Sequence, residues 1–100
     1  MSQIKFRTEF QGKAAEIMAG WDAPLGYYHF TVFDADPEAE EELLWDGLGN
    51  LGFCRKLDTI RETVDTLGLE PPPEFYDLID RREGNVIYNW DGEQWIRTRL

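Results

Sequence analysis

Three consecutive prolines, Pro71 to Pro73, constrain the fold of this chain more than any other sequence feature. Proline lacks a backbone N–H and fixes φ, so the run interrupts any helix or central strand that reaches it. Apolar residues recur at helical spacing from Leu57 to Leu67 before the run, and again from Phe75 to Ile79 after it. A crossover helix of a parallel sheet would lead directly into a strand, so the run argues against alternating strands and helices.

Strand patterns occupy both ends of the chain. Residues 13–21 are ambiguous, because their Ala, Glu and Met residues favour a helix while Gly12 and Gly20 leave little room for one, and we expect a strand there. The remaining segments alternate apolar and polar residues or are rich in β-branched and aromatic residues. The six expected strands lie in residues 4–8, 13–21, 27–33, 43–45, 86–90 and 93–99.

Local turn and cap residues refine these boundaries. Asp91-Gly92 predicts a two-residue type I′ turn between the last two strands. Thr59 and Glu62 have the spacing of a capping box, and Gly68 is placed to end the first helix.

Strands, then two helices, then strands is the order typical of an α+β protein. We therefore predict a mainly antiparallel sheet of about 5–6 strands with two helices packed on one face. One hundred residues correspond to a single domain, spanning residues 1–100.

The charge of the chain restricts its partners. It has 20 acidic and 10 basic side chains, for a formal net charge of -10. Residues 1–50 hold three basic and ten acidic side chains (-7), and residues 51–100 hold seven and ten (-3). An acidic surface repels nucleic-acid phosphates and anionic lipids. We therefore expect neither direct nucleic-acid binding nor membrane binding.

The single cysteine, Cys54, excludes an intrachain disulfide, and the residues from Met1 to Phe10 lack the apolar core of a secretory signal. Apolar runs are far shorter than the roughly 20 residues that cross a bilayer. We expect a cytoplasmic protein that is a monomer or a weak homodimer.

Residues 47–52, Gly-Leu-Gly-Asn-Leu-Gly, match the G-x-G-x-x-G spacing of phosphate-binding loops. In those loops the glycines let the backbone approach a pyrophosphate at a helix N-terminus inside a βαβ unit. Here the next helix runs into the prolines, and an acidic run precedes the loop. We therefore expect a turn between a strand and a helix. Nucleotide or phosphometabolite binding remains an alternative, with the site residues Gly47, Gly49, Gly52 and Cys54.

The segment from Asp34 to Glu42 holds six carboxylates in nine residues. An EF-hand loop beginning at Asp34 would need glycine at Ala39 and glutamate at Trp45, so we expect no metal site, and no cofactor is predicted. Such a segment is typical of a solvated loop that attracts a basic protein. The residues predicted to bind a partner are Asp34, Asp36, Glu38 and Trp45.

Cys54 precedes Arg55 and Lys56, an environment in which reactive cysteines occur. The phosphatase spacing would require arginine where Ile60 stands, so we expect a buried structural cysteine. His29 is the only histidine, which excludes a site with two histidine ligands. A Cys54/His29 dyad is an alternative, but we expect a partly exposed histidine in the sheet. We predict no catalytic residues.

Basic residues alternate along the first and last strands, at Lys5, Arg7, Arg97 and Arg99. If those strands are neighbours, the four side chains form one stripe with Trp95 that could hold an anion. Edge strands also carry positive charge that blocks aggregation, and we expect this second role.

Aromatic and acidic residues without a coherent catalytic set suggest a non-enzymatic protein-interaction or regulatory module, with another protein as its partner. A nucleic-acid mimic, whose carboxylates imitate phosphates, is a second alternative.

Overall fold

The computed structural model describes residues 1–36, 38 and 42–99 and contains six strands and three helices in this part of the chain. The order of strands, helices and strands confirms the α+β prediction. The elements are β1 (Ser2–Phe10), β2 (Lys13–Asp22), β3 (Tyr27–Asp34), β4 (Leu43–Asp46), α1 (Gly47–Leu51), α2 (Leu57–Thr66), α3 (Phe75–Asp80), β5 (Val86–Trp90) and β6 (Trp95–Arg99).

The strands form one sheet in the order β4-β3-β2-β1-β5-β6. Four of the five neighbouring pairs are antiparallel, and β1 and β5 are parallel. The parallel pair arises because the chain leaves the sheet after β4, passes through the helices and returns beside β1. The predicted mainly antiparallel sheet is therefore confirmed.

One face of the sheet carries the core. Alternate residues of β1, β2 and β3 are buried there, and α2 and α3 add their apolar sides. Phe75 of α3 meets Phe6 of β1 edge to face, with ring centroids 5.1 Å apart. We call this the helix face and the opposite side the open face. The larger core side chains are Ile4, Phe6, Phe10, Ile17, Tyr28, Phe30, Val32, Ile60, Val64, Phe75, Leu78, Ile79, Val86 and Tyr88.

The ambiguous residues 13–21 form a strand, as predicted. Ala15, Ile17 and Ala19 alternate with more exposed neighbours, and all three are fully buried between β1 and β3. Packing on both sides overrides the helix preference of Ala and Glu.

Three local predictions were wrong. The turn from Asp91 to Gln94 has four residues, because the Asp91 carboxylate accepts hydrogen bonds from the Glu93 and Gln94 amides, each 2.8 Å long. The cap of α2 is Lys56, without a side-chain hydrogen bond, so Thr59 and Glu62 lie inside the helix. The turn expected at residues 47–52 contains the short helix α1.

The basic stripe does not exist. β5 separates β1 from β6, and the register places Arg97 opposite buried Tyr88, on the helix face. Lys5 and Arg7 lie on the open face, where both approach Glu16 at 4.0 and 3.9 Å. The two pairs of cations are therefore on opposite sides of the sheet.

Candidate functional site

The glycine-rich segment forms α1 and lies against β3. Asp46 caps the helix, because its carboxylate accepts a 3.1 Å hydrogen bond from the Leu48 amide. Gly47 is buried where a Cβ atom would overlap the Phe30 carbonyl oxygen, and Gly52 has φ +66°. Close approach of backbones and a positive φ both require glycine. The spacing of Gly47 and Gly52 therefore has a local structural cause.

A cavity of about 250 Å³ lies between α1, β3 and the N-terminus. Its walls are mainly apolar, and its polar groups come from His29, Thr31 and Asp46. The full lining is Met1, Met18, Tyr27, Tyr28, His29, Phe30, Thr31, Asp46, Gly47, Leu48, Leu51, Gly52 and Cys54.

Large apolar side chains line this cavity or flank it and remain exposed to solvent: Met1 and Leu48 are lining residues, and Phe53 lies between the lining residues Gly52 and Cys54. Phe53 is 60% exposed, Leu48 51% and Met1 40%. The Phe53 ring packs edge to face on Tyr27, whose centroid is 5.1 Å away. We call Met1, Tyr27, Leu48 and Phe53 the apolar rim.

The four predicted ligand-binding residues separate into two groups. Gly47, Gly52 and Cys54 line the cavity. Gly49 instead faces the carboxylate of Asp46, which a Cβ atom would approach to 3.0 Å. Sequence reasoning did not identify the rim residues. The available signal was that Leu48 and Phe53 are apolar residues in or beside a glycine-rich segment that fits no strand or helix pattern.

Cys54 is buried, at 6% exposure, and is held by both its side chain and its backbone. Its Sγ donates to the Lys56 carbonyl oxygen at 3.3 Å, and its own carbonyl accepts a 2.7 Å hydrogen bond from the Tyr28 amide. These contacts match the predicted structural cysteine. The Cys54 thiol is therefore directed at a backbone oxygen rather than at His29.

His29 forms part of the cavity wall on the open face. Its Nε2 lies 2.8 Å from the Ser2 carbonyl oxygen, and since a carbonyl can only accept, Nε2 carries the hydrogen. Burial lowers the pKa of His29 below its ordinary value of 6.5, and the Ser2 hydrogen bond and the Asp22 charge oppose this shift only in part. The imidazole is therefore neutral at pH 7 and contributes a polar group without charge.

We expect His29 to make folding sensitive to mild acid. Because its pKa is lowered on folding, the stabilisation is complete above 6.5 and is lost as the pH falls through the folded-state pKa. Urea unfolding of the wild type should therefore show a falling free energy of unfolding between about pH 7 and pH 5. His29→Gln keeps a donor for Ser2 but does not titrate, so its curve should be flatter. Parallel curves for the two proteins would contradict this role.

The acidic segment begins with two successive turns, each closed by an aspartate side chain. Asp34 accepts a 2.9 Å hydrogen bond from the Asp36 amide, and Asp36 accepts one of 3.0 Å from the Glu38 amide. Asp36 and Glu38 are exposed, whereas Asp34 is half-buried. The carboxylates of Glu40 and Glu41 lie outside the described residues.

Trp45, the fourth residue predicted to bind a partner, is only half exposed. It pairs with Val32 across the β3–β4 ladder, and its ring meets Phe30 edge to face with centroids 5.6 Å apart. The Trp45 side chain therefore extends the core towards the sheet edge.

The described residues contain neither a membrane-spanning helix nor a cluster of potential metal ligands. None of their helices is both long and apolar enough to cross a bilayer. Their His, Cys, Asp and Glu side chains form no group of three or more that could hold a metal ion. A comparison with protein-family models, curated proteins and solved structures finds no match to this chain.

Proposed function

We propose that this protein is a non-enzymatic interaction domain that binds a partner protein at the apolar rim, with one partner side chain inserted in the adjoining cavity. The exposure of Met1 and Leu48, which line one cavity, and of Phe53, which flanks it and packs on the lining residue Tyr27, carries this proposal. Contiguous exposed apolar surface on a folded protein marks interaction sites. Large apolar anchors that fill a pocket supply most of the binding energy of protein interfaces.

The size of the cavity favours an inserted side chain over a free nucleotide. Pockets for drug-sized ligands span roughly 300–1,000 Å³, whereas this cavity measures about 250 Å³. A small ligand inside it would contact Leu48, which lines it, but would leave Phe53, which lies outside the lining, exposed to water. A protein surface would fill the cavity and cover both side chains together.

Charge indicates that the partner is basic. The rim residues lie between Met1 and Phe53, and residues 1–56, which include Arg55 and Lys56 beside Phe53, hold ten acidic and five basic side chains, a formal charge of -5. Asp46 stands beside the cavity, and Asp34, Asp36 and Glu38 extend the acidic surface from the far end of β3. Complementary charge accelerates association and excludes partners of the same sign.

The arrangement of titratable groups supports a binding role rather than catalysis. The Cys54 thiol and the His29 Nε2 are each engaged by a backbone carbonyl. Covalent catalysis needs a nucleophile and a base within hydrogen-bond reach of each other. A binding domain needs only a fixed surface, which these contacts maintain.

A photo-crosslinking amino acid placed at Phe53 should capture a basic protein from a native cell extract, while the same group at Gln11, in the exposed β1–β2 turn, should not. The captured protein is identified by mass spectrometry, and its non-crosslinked form is then purified for affinity measurements at two salt concentrations. We expect weaker binding at the higher salt because exposed charges are screened. Equal labelling from Gln11 and Phe53 would contradict a docking site at the rim.

Leu48→Glu should lower the affinity for that purified partner by about thirtyfold, which corresponds to ~2 kcal/mol. The change removes an apolar contact at the cavity mouth and introduces a charge there. Leu48 is exposed, so the free energy of unfolding should change by less than about 0.5 kcal/mol. Gln11→Glu, which introduces the same charge in the exposed β1–β2 turn, is the control and should bind normally. An equal loss in both variants would contradict the proposed site.

Two alternatives make different predictions. Nucleotide binding at residues 47–52 predicts NMR shifts of the Gly49 to Cys54 amides during titration with a nucleotide. The Asp46 carboxylate, which caps α1 at the Leu48 amide, opposes an anion there, so we expect no shifts. Nucleic-acid mimicry predicts that duplex DNA displaces this protein from the purified, non-crosslinked partner. A partner that binds through the rim should stay bound when DNA is added.

A further inference from the structure

β6 is an outer strand of the sheet and presents an open edge. It pairs with β5 on one side, and no strand of the described chain pairs with its other side. An edge strand exposes a row of backbone donors and acceptors that can pair with another chain. Ile96 of this strand is 43% exposed. The edge is therefore available for strand addition.

The register defines which side chains each face of β6 carries. Trp90 pairs with Trp95 and Tyr88 pairs with Arg97, so Trp95 and Arg97 point to the helix face. Asn89 pairs with Ile96, which points to the open face. Residues directly opposite in an antiparallel ladder share a face. This alternation limits the registers that a second strand can adopt.

We propose that β6 pairs antiparallel with β6 of a second copy of this chain, with Ile96 opposite Ile96 of the partner subunit. The same register places Trp95 opposite Arg97 of the partner subunit, an aromatic–cation pair that the two-fold symmetry repeats. Glu93 precedes the strand and comes near Arg99 of the partner subunit, which adds an ion pair at each end. The strand is thus complementary to itself.

Two of the pairing side chains are already fixed in position. The Trp95 indole Nε1 donates a 2.8 Å hydrogen bond to the Pro73 carbonyl oxygen. Arg97 forms a 3.3 Å ion pair with Glu83 on the helix face. Side chains that are ordered before association lose less entropy on binding. The Arg97 guanidinium therefore stays on the face that meets Trp95 of the partner subunit.

Other registers of the β6–β6 pair, and pairing through the opposite edge strand β4, are less favourable. A register centred on Arg97 would place two arginines opposite each other, and like charges across strands are destabilising. β4, the opposite edge, has only four residues and a register shift beside it. Pairing of β6 with β4 of another copy would also produce open chains rather than a closed dimer.

A cysteine at the two-fold axis tests this arrangement. Ile96→Cys should form a disulfide-linked dimer under a mild oxidant such as diamide, which takes up the two electrons and two protons that the thiols lose. Thr98→Cys, on the same face two residues away, is the matched control. The two copies of residue 98 would lie about 13 Å apart along the strands, too far for a disulfide. The wild type, whose Cys54 is buried, gives the background.

We expect Ile96→Cys to form the disulfide-linked dimer at least about tenfold faster than Thr98→Cys. In a second experiment, sedimentation equilibrium, the dimerisation affinity of Ile96→Lys should be about tenfold lower than that of the wild type. Leu43→Lys, an exposed residue of β4, should dimerise like the wild type. Circular dichroism verifies that each variant is folded. Equal crosslinking rates, a wild-type mass of one chain at every concentration, species larger than a dimer, or an equal effect of Leu43→Lys would each overturn the proposal.

Discussion

Gly47→Ala should lower the free energy of unfolding by about 3 kcal/mol, the upper end of what overpacking costs in a well-packed core. The added Cβ atom would overlap the Phe30 carbonyl oxygen. Both groups are backbone, so relief requires α1 to move away from β3, and such a movement also opens the neighbouring cavity. Urea unfolding followed by tryptophan fluorescence measures the loss.

Gly49→Ala is the matched control for that experiment, because it makes the same chemical change two residues along α1. Its Cβ atom would approach the Asp46 carboxylate to 3.0 Å at Oδ2, whereas Oδ1 accepts the cap hydrogen bond, so a small shift of the side chain relieves the contact and keeps the cap. Alanine is also the better helix former by about 1 kcal/mol, so the variant should equal the wild type in stability or exceed it slightly. If both variants lost the same stability, the close contact between Gly47 and Phe30 would not be the cause.

The contrast between these glycines also explains why the helix α1 could not be predicted. Two of its five residues are glycine, which has a low intrinsic helix propensity. The Asp46 cap and the contact of Gly47 with β3 stabilise it instead, and the latter is a tertiary interaction. By contrast, β3 and α2 have patterns that local sequence determines, and both were predicted correctly.

Strand order and cavity position depended on information that local patterns do not contain. The pairing of β1 with β5 joins segments more than 80 residues apart, and it is this pairing that separates Lys5 from Arg97. The cavity was partly predictable, because Gly47, Gly52 and Cys54 were identified from sequence. Its other wall comes from Met1 and His29, which reach it only through the β1–β2–β3 register.

Phe75→Ala should have the largest effect on stability, about 3–5 kcal/mol, which is the usual cost of removing a buried phenylalanine. The ring is 1% exposed and contacts Phe6, Tyr76 and Trp95. Its loss leaves a cavity between α3 and the sheet. Because small domains are stable by only about 5–15 kcal/mol, the midpoint of thermal unfolding should fall by at least ~12 °C. A fall of only a few degrees would mean that α3 contributes little to the core.

Phe53→Ala removes the same type of side chain from the apolar rim. It should weaken partner binding and leave the stability of the fold almost unchanged. Phe53 is mostly exposed and its ring packs edge to face with Tyr27, so the free energy of unfolding should fall by no more than about 1 kcal/mol. Binding of the purified, non-crosslinked partner should instead weaken by about thirtyfold, since the variant removes an anchor beside the cavity. The two substitutions thus separate a phenylalanine that maintains the fold from one that serves the interface. A variant that is destabilised as much as Phe75→Ala, or that binds normally, would show that the rim is not a docking surface.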